Sequence, residues 1–488
     1  MPGVIRMRVL NVFILFAVVI VAVFSQLSTT YAAPNHFEVK TGVRQLFLDG
    51  HGIRSLDNLK RTLHFPRKLG AVIRPRYLTT EESSLQIRSA PQWDAPNQRY
   101  LLWLISASCY ESKDGLHWIP TTPQPDTAVM HVIIDPDEPD SHQRFKGLKS
   151  VPGGLQPVIS SDGLHWTKLD VPLIPSQDES NLSYDRNSHT FIATVKHRGP
   201  YGRTVWLSTS QDFREWSKPE LIFHPDATDQ QRAVKHITDR MGNAGLQPLF
   251  QNDPKDYNVQ VYNMGVFRYE GHYVGMPSMF HSTGKMPNYP NTDGFHLIQL
   301  VSSRNMKNWN RLGDRQTFIG PSSHHSGAFD LTQLIPPSRP ILREQELWFY
   351  YTGLKYRGNW TYIGEFPNGE HIPLPDTDRA KGAICLAVLR RDGFVSLDAV
   401  SSCGSVTTEP FILPTNKLRL NINSLQGSCK IEVLHNNSVV AQSHPMNGDH
   451  PSVAVTWQYG SLHKFCAQEV QLRVSLDHAR IYSYWFEP

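Results

Sequence analysis

The pentapeptide DGLHW stands at Asp114–Trp118 and again, letter for letter, at Asp162–Trp166, each copy preceded by a serine two positions upstream, Ser112 and Ser160. Looser versions follow along the chain: STSQDFREW (Ser208–Trp216), VSSRNMKNW (Val301–Trp309) and the degenerate LRRDGFVSL (Leu389–Leu397). Each has an Asp or Asn, then Gly or a substitute, then an aromatic or apolar residue, the composition of a tight turn leading into a strand.

A second unit precedes every copy, a polar turn followed by an apolar, aromatic stretch. The five read DAPNQRYLLWLISAS (Asp94–Ser108), EPDSHQRFKGLKS (Glu138–Ser150), DRNSHTFIATVKH (Asp185–His197), RYEGHYVGMPSMF (Arg268–Phe280) and REQELWFYYTGLKY (Arg343–Tyr356). The two units stay in step, so each block predicts a four-stranded antiparallel meander, and five such meanders predict a five-bladed β-propeller. A lone blade cannot cover both of its faces, and packing between neighbours accounts for the recurring Trp, Tyr and Phe. The competing arrangement of the same hairpins is an open sandwich.

Beyond Thr407 the pattern changes to segments alternating at period two, among them KLRLNINS, KIEVLHNN, EVQLRVSL and ARIYSYWF. They predict a β-sandwich, so the expected organisation is a propeller over 34–406 and a sandwich over 407–488, an all-β chain. With 488 residues, 40% of them apolar and 19% charged, and with 11 Trp, 18 Tyr and 22 Phe, there is ample material for both cores.

A net charge of +4 with no basic run or Arg stripe gives little support for nucleic-acid binding, and no nucleic-acid partner is expected. At the N-terminus, Arg6 and Arg8 precede an apolar run from Val9 to Phe24 and a small-residue stretch ending at Ala33. This is the pattern of a secretory signal peptide over 1–33, with an uncleaved membrane anchor as the rival reading. Either way the expected location of the body is extracellular. The triplets at Asn181, Asn359 and Asn436 have the form of glycosylation acceptors. Five cysteines (Cys109, Cys385, Cys403, Cys429, Cys466) show no metal-ligand spacing; the last four crowd the C-terminal part, where one or two disulfides are expected, Cys429 with Cys466 among them, with Cys109 left over.

The segment LFLDG (Leu46–Gly50), the phrase SSDGLHW, RRDGFVSLDA (Arg390–Ala399) and the KIEVL strand together resemble the secreted five-bladed-propeller glycosidases of glycoside hydrolase families 32, 43 and 68, and more closely a set of family-32-like secreted proteins. The resemblance spans essentially the whole chain after residue 33. It implies a carbohydrate partner and glycoside hydrolysis, and it allows a Ca²⁺ ion in the central channel, although no spacing of oxygen ligands supports one. The hallmark invertase motifs WMNDPNG, FRDP and WECP are missing, so a complete catalytic set cannot be transferred.

Glycoside hydrolysis uses two carboxyl groups across the scissile bond. In a propeller only the innermost strands and the loops entering them line the channel mouth, which places the candidates just upstream of the second recurring unit. Block three offers Asp178 and Glu179; block five offers Asp330, behind the adjacent His324 and His325. In block two Asp135, Asp137, Glu138 and Asp140 read as a solvated turn, block one has Glu81 and Glu82, and block four has Asp256 and no Glu. Asp178 and Asp330 are the expected carboxyl pair, with Glu179 in reserve. Trp206, Tyr262 and Trp360 are the aromatic residues expected to stack on sugar rings. No metal site is expected: His324 and His325, in an extended segment, would point to opposite faces. The alternative to a hydrolase is a non-catalytic propeller that binds glycans or proteins.

Overall fold

The computed structural model describes residues 37–76, 83–286, 291–357, 380–399 and 403–488. The expected signal segment, Glu81, Glu82, Asn359 and Trp360 lie outside them. Five antiparallel sheets follow one another, each built on a four-strand path. Blade one runs Gln92–Asp94, Arg99–Trp103, Cys109–Ser112, Ile119–Pro120, and blade two runs His131–Ile134, Phe145–Val151, Gly154–Ser160, Thr167–Lys168. Blade three is Ser180–Asp185, Thr190–Gly199, Gly202–Ser210, Glu220–Phe223; blade four is Asn258–Tyr269, His272–Lys285, Val301–Ser303, Asn310–Arg311, with Thr292–Ile298 added beside its second strand. The path of blade five is Gln333–Ile335, Glu346–Leu354, Gly382–Arg390 and then Arg67–Ile73.

That last strand closes the ring. The outermost position of blade five is filled from the N-terminal side, with Arg67–Ile73 antiparallel to Gly382–Arg390. The five seams between blades each have a hydrophobic cluster. Blades one and two share Leu101, Trp103, Phe145 and Val158, and blades two and three share Leu148, Leu155, Leu182 and Phe191. Ile192, Val205, Val261 and Val266 fill the third seam, Met276, Ile298, Leu334 and Phe349 the fourth, and Tyr350, Ile384, Ile87 and Leu102 the fifth. Phe349 and Tyr350 are neighbours in sequence yet serve different seams, because successive side chains on a strand point to opposite faces.

The repeated turns join the third and fourth strands, on the outer side of each blade. In the first, the Ser112 hydroxyl donates to Asp114 Oδ1 at 3.0 Å, and the N–H groups of Leu116 and His117 both donate to that oxygen at 2.8 Å. The same bonds recur around Asp162, Asp212 and Asn305. The residue after the acceptor is left-handed in every copy, with φ of 76° at Gly115, 77° at Gly163, 64° at Phe213 and 60° at Met306. Two of these turns also staple a neighbouring blade. Trp103 Nε1 of blade one donates to the Gly163 carbonyl of blade two at 2.7 Å, and Tyr350 of blade five donates to the Gly115 carbonyl of blade one at 2.7 Å.

The fifth copy departs from this pattern. Its Asp392 turn leads out of blade five into Val395–Ala399, which belongs to the C-terminal sheet. Asp392 is fully buried there and accepts from Arg44, Tyr269 and Ser483, joining the propeller to the last strand of the chain. The C-terminal β-sandwich forms a curled sheet that starts earlier than expected. Besides Leu418–His435, Glu469–Asp477 and Ala479–Phe486 it takes in Gln45–Leu46, Ile53–Asp57, Lys60–Leu63, Val395–Ala399 and Gly404–Thr408, so segments assigned to the propeller range complete it. Its core contains Leu420, Ile422, Ile431, Val433, Leu472 and Ile481.

All five cysteines are free, which corrects the expected disulfide: Cys429 is buried in the sandwich core and Cys466 is exposed beside a short 3₁₀ turn. Asn181 is buried on the inner strand of blade three, its amide donating to Asn263, and is inaccessible as a glycosylation acceptor in the folded chain. Among the described residues no helix is long and apolar enough to cross a membrane.

Candidate functional site

The inner strands are tied to one another around the channel. The Ser89 hydroxyl accepts from Val132 N–H at 2.8 Å, and His131 Nε2 meets the Ser180 hydroxyl at 2.7 Å. Ser183 donates to the Val266 carbonyl at 2.5 Å and Ser278 to the Leu334 carbonyl at 2.7 Å. Ala90 N–H donates to Ser338 at 3.1 Å, completing the circuit. At the end where these strands begin, charged side chains from blades one, three and five converge with polar side chains from blade four.

Blade three supplies the carboxylates. Glu179, one step ahead of the Ser180–Val195 pair, is buried and held by Arg88 from blade one, with Nε to Oε2 and Nη2 to Oε1 both at 2.5 Å. Asn263 of blade four donates to Oε2 at 3.0 Å. Asp178 precedes it and leaves 74% of its side chain accessible. Its Oδ1 accepts from Lys196 Nζ at 2.7 Å, while only 3% of the Lys196 side chain is exposed. The position of Lys196 follows from register: on the strand Thr190–Gly199, Phe191, Ala193 and Val195 face the blade-two seam, so Ile192, Thr194 and Lys196 face blade four.

Burial pushes the Asp178 carboxyl up, but the charge and hydrogen bond of Lys196 outweigh this and hold it below the ordinary carboxylate value. On the amine, burial wins over Glu179 and Asp178 and holds Lys196 below the ordinary lysine value. The two shifts differ in what they say about the pair. Burial disfavours the charge on both, but it prevails only on Lys196; on Asp178 the attraction of the amine outweighs it.

Blade four supplies a bulge. Val259 and Val261 face the blade-three seam, and after the bulge Met264 and Val266 face it, so the alternation slips by one between Val261 and Asn263. The extra residue is Tyr262, and bulges of this kind re-aim side chains at sites. Lys196 Nζ lies 4.4 Å from the Tyr262 ring centroid and the Arg357 guanidinium 5.6 Å from it. Arg357, which follows blade five's second strand, also lies 4.7 Å from the Phe280 ring centroid, with Arg203 5.6 Å from the same ring. Arg203 donates to Gln260 at 2.9 Å and Asn291 at 2.5 Å, both neutral. His296, fully buried between Tyr262 and Phe280, is held well below the ordinary imidazole value by burial and then by Arg357 and Arg203, and is neutral.

The structure therefore brings together Asp178, Glu179 and Tyr262 of the expected residues. Asp330 has a separate set of partners. Asp330 is buried under blade five, where Lys68 Nζ and the Tyr351 hydroxyl each reach Oδ2 at 2.7 Å, and none of its partners belongs to the Asp178 cluster. Trp206 pairs with Val195 and packs against the blade-two seam beside His197, because its side chain leaves the strand on the face opposite Lys196. Tyr262 is at the site, but its ring carries cations. His324 and His325 lie ring to ring at 3.6 Å, since His325 has φ of 61° and the segment is not extended.

Arg88, Lys196, Arg203, Arg357 and Asn263 are the site residues that reading the sequence missed. Two signals were there to find: a lysine at an inward position of the apolar strand TFIATVKH, and the slip in the alternation of VQVYNMGV. Four cations and two carboxylates already engaged by cations do not suit Ca²⁺, which takes about six to eight oxygen ligands. Among the described residues no group of three or more His, Cys, Asp or Glu side chains is placed to hold a metal ion.

No known family model matches the chain, and no curated protein matches it. Several solved structures are similar to it. They include an N-acetylgalactosamine deacetylase from F. plautii solved with blood group B trisaccharide, at 13% identity and TM-score 0.40 over 69% of this chain and 97% of that one. A glycoside hydrolase family 43 arabinoxylan arabinofuranohydrolase from Bacillus subtilis, solved with cellotetraose, has 9% identity and TM-score 0.36 over 86% and 99%. A family 32 β-fructofuranosidase from Bombyx mori has 9% identity and TM-score 0.40 over 86% and 94%.

Proposed function

We propose that this chain is an extracellular saccharide-binding propeller protein of the glycosidase type, which takes a saccharide at the end of the channel where the inner strands begin. The observation that carries this reading is the Asp178–Lys196 pair. A water-accessible carboxylate is fixed at 2.7 Å by a buried amine, beside Tyr262, among polar groups contributed by four blades. Hydroxyl-rich ligands are bound by such fixed donors and acceptors in a concave site.

A second reading, hydrolysis, is favoured by the state of Asp178. An ionised, accessible carboxylate can act as base or nucleophile. Of the other expected carboxyls, Asp330 is buried and held by Lys68, and Glu179 is clamped by Arg88, so neither is free of a cation. Binding therefore stands as the primary function.

Purified protein would be titrated against a panel of polysaccharides and oligosaccharides, with product analysis of each mixture. Binding that weakens about tenfold in Asp178→Asn, as the loss of one charged hydrogen-bonding group implies, supports the site. Appearance of shorter products abolished by the same substitution assigns hydrolysis. Full binding by the variant removes the assignment.

A further inference from the structure

Arg203 and Arg357 share one aromatic ring, and among the described residues neither donates a hydrogen bond to a carboxylate. Their guanidinium carbons lie 5.6 and 4.7 Å from the Phe280 centroid. Arg357 is 7% exposed, and its Nε is buried without a hydrogen-bond partner. Among the described residues it makes no ion pair. Arg203 spends its donors on the amide oxygens of Gln260 and Asn291. The other two cations here are already neutralised, Arg88 by Glu179 and Lys196 by Asp178. Two guanidinium groups without a hydrogen-bonded carboxylate thus lie against Phe280, attracted only through space by Asp178 near Arg203 and by the buried Asp293 near Arg357, and the buried His296 beside them has an Nε2 with no partner.

Burying a charge without a counter-charge is costly, and folded proteins keep such arrangements chiefly where a ligand supplies the missing charge. Guanidinium forks match planar or tetrahedral oxyanions, to which each can donate two hydrogen bonds. We infer that the saccharide taken by this site is acidic, and that its carboxylate or sulfate group docks between Arg203 and Arg357 over Phe280. The inference rests on the saccharide-binding reading and adds the substrate class. It also gives the aromatic rings a role: Phe280 and Tyr262 orient the two guanidinium groups, leaving the sugar to be held by polar contacts.

Matched probes separate the sources of the anion. Oligogalacturonate and its methyl ester differ in carboxylate charge; a sulfated carrageenan oligosaccharide and its desulfated form differ in sulfate. Each would be titrated calorimetrically into the full chain, the Arg357→Gln, Arg357→Lys and Arg203→Gln variants, and Lys196→Met. The expected result is that one acidic member binds at least about tenfold tighter than its masked counterpart. Arg357→Gln and Arg203→Gln erase that difference, Arg357→Lys retains part of it, and added salt weakens it.

Thermal unfolding keeps the test interpretable. Arg357→Gln removes a buried charge that has no hydrogen-bonded carboxylate, so its Tm equals or exceeds that of the unchanged chain in the absence of ligand. Acidic and masked probes bound equally, with both weakened by Lys196→Met, overturn the inference and leave the saccharide site standing. Binding of the acidic probe indifferent to Arg203, Arg357 and Lys196, or no binding of any probe, overturns both.

Discussion

Arg88 and Glu179 join blade one to blade three through two parallel hydrogen bonds of 2.5 Å, with 3% and 6% of their side chains exposed. This ion pair crosses the channel end and carries Asn263 of blade four with it. The pair is buried, so losing one partner strands a charge in a place water does not reach.

From this follows the first prediction. Glu179→Met or Arg88→Met alone costs about 3–5 kcal/mol, the usual penalty for breaking a buried pair. The double substitution Arg88→Met with Glu179→Met recovers most of that, because no uncompensated charge remains. Urea unfolding of the four proteins, read as a double-mutant cycle, measures it. A loss in the double variant equal to the sum of the two single losses would show that the pair is not coupled.

The repeated turns give a second prediction. Gly163 has φ of 77°, and a Cβ built on it would stand 2.6 Å from Trp103 Cζ2 of the neighbouring blade. Gly163→Ala therefore combines left-handed strain with a clash at a blade seam, a loss of about 2–3 kcal/mol. Trp103 fluorescence would report the shift in the same unfolding curves. A loss below about 0.5 kcal/mol, the size of an ordinary surface substitution, would refute the stapling role.

Those turns also explain why so much of the fold was legible. The serine before DGLHW and its Asp and Gly each suit a role in the turn, the acceptor for two backbone N–H groups and the left-handed position after it, so these letters or substitutes such as Asn305, Phe213 and Met306 recur wherever the turn does. The blade count and the inner-strand positions followed. Closure by Arg67–Ile73 was not legible, because that strand is short and has no repeat signature. The fifth copy misled for a related reason: its Asp392 turn has the right letters but delivers the chain into the sandwich. At the site, searching for carboxylates found Asp178 and Glu179 and passed over the cations around them. Asp330 looked equivalent to Asp178 because both precede inner strands; only the packing of Lys68 and Tyr351 distinguishes them.

A pH prediction comes from the second turn. Partial burial pushes the Asp162 carboxyl up, but hydrogen bonds from the His165 ring, the His165 and Leu164 N–H groups and the Ser160 hydroxyl hold it well below its ordinary 3.8. The His165 imidazole is raised above 6.5 by its hydrogen bond with Asp162. The carboxylate's contribution is fully present above 3.8 and lost as pH falls through the folded value; the imidazole's is fully present below 6.5 and lost as pH rises through its raised value. Both operate together between those two values. Asp162→Asn lowers Tm most within that window, and proton NMR of His165 shows its titration returning toward 6.5. An unchanged His165 titration in the variant would contradict the pairing.

Lys196 separates stability from function. Its amine is buried and pulled below the ordinary lysine value, so at neutral pH the folded state holds a charge that burial disfavours. Its partner Asp178 is 74% accessible and can return to water when the amine is removed. The penalty for stranding a buried charge therefore does not apply, in contrast to Arg88 and Glu179. Lys196→Met keeps the contact with Tyr262 and relieves the buried ammonium, leaving stability within about 1 kcal/mol of the original or above it. Sites kept for ligands are often places where such substitutions stabilise while activity is lost. Saccharide binding should fall about tenfold or more in the same variant, and the Asp178 carboxyl should titrate closer to its ordinary value by NMR. A variant that loses several kcal/mol of stability while still binding saccharide would place Lys196 in the scaffold and remove it from the site.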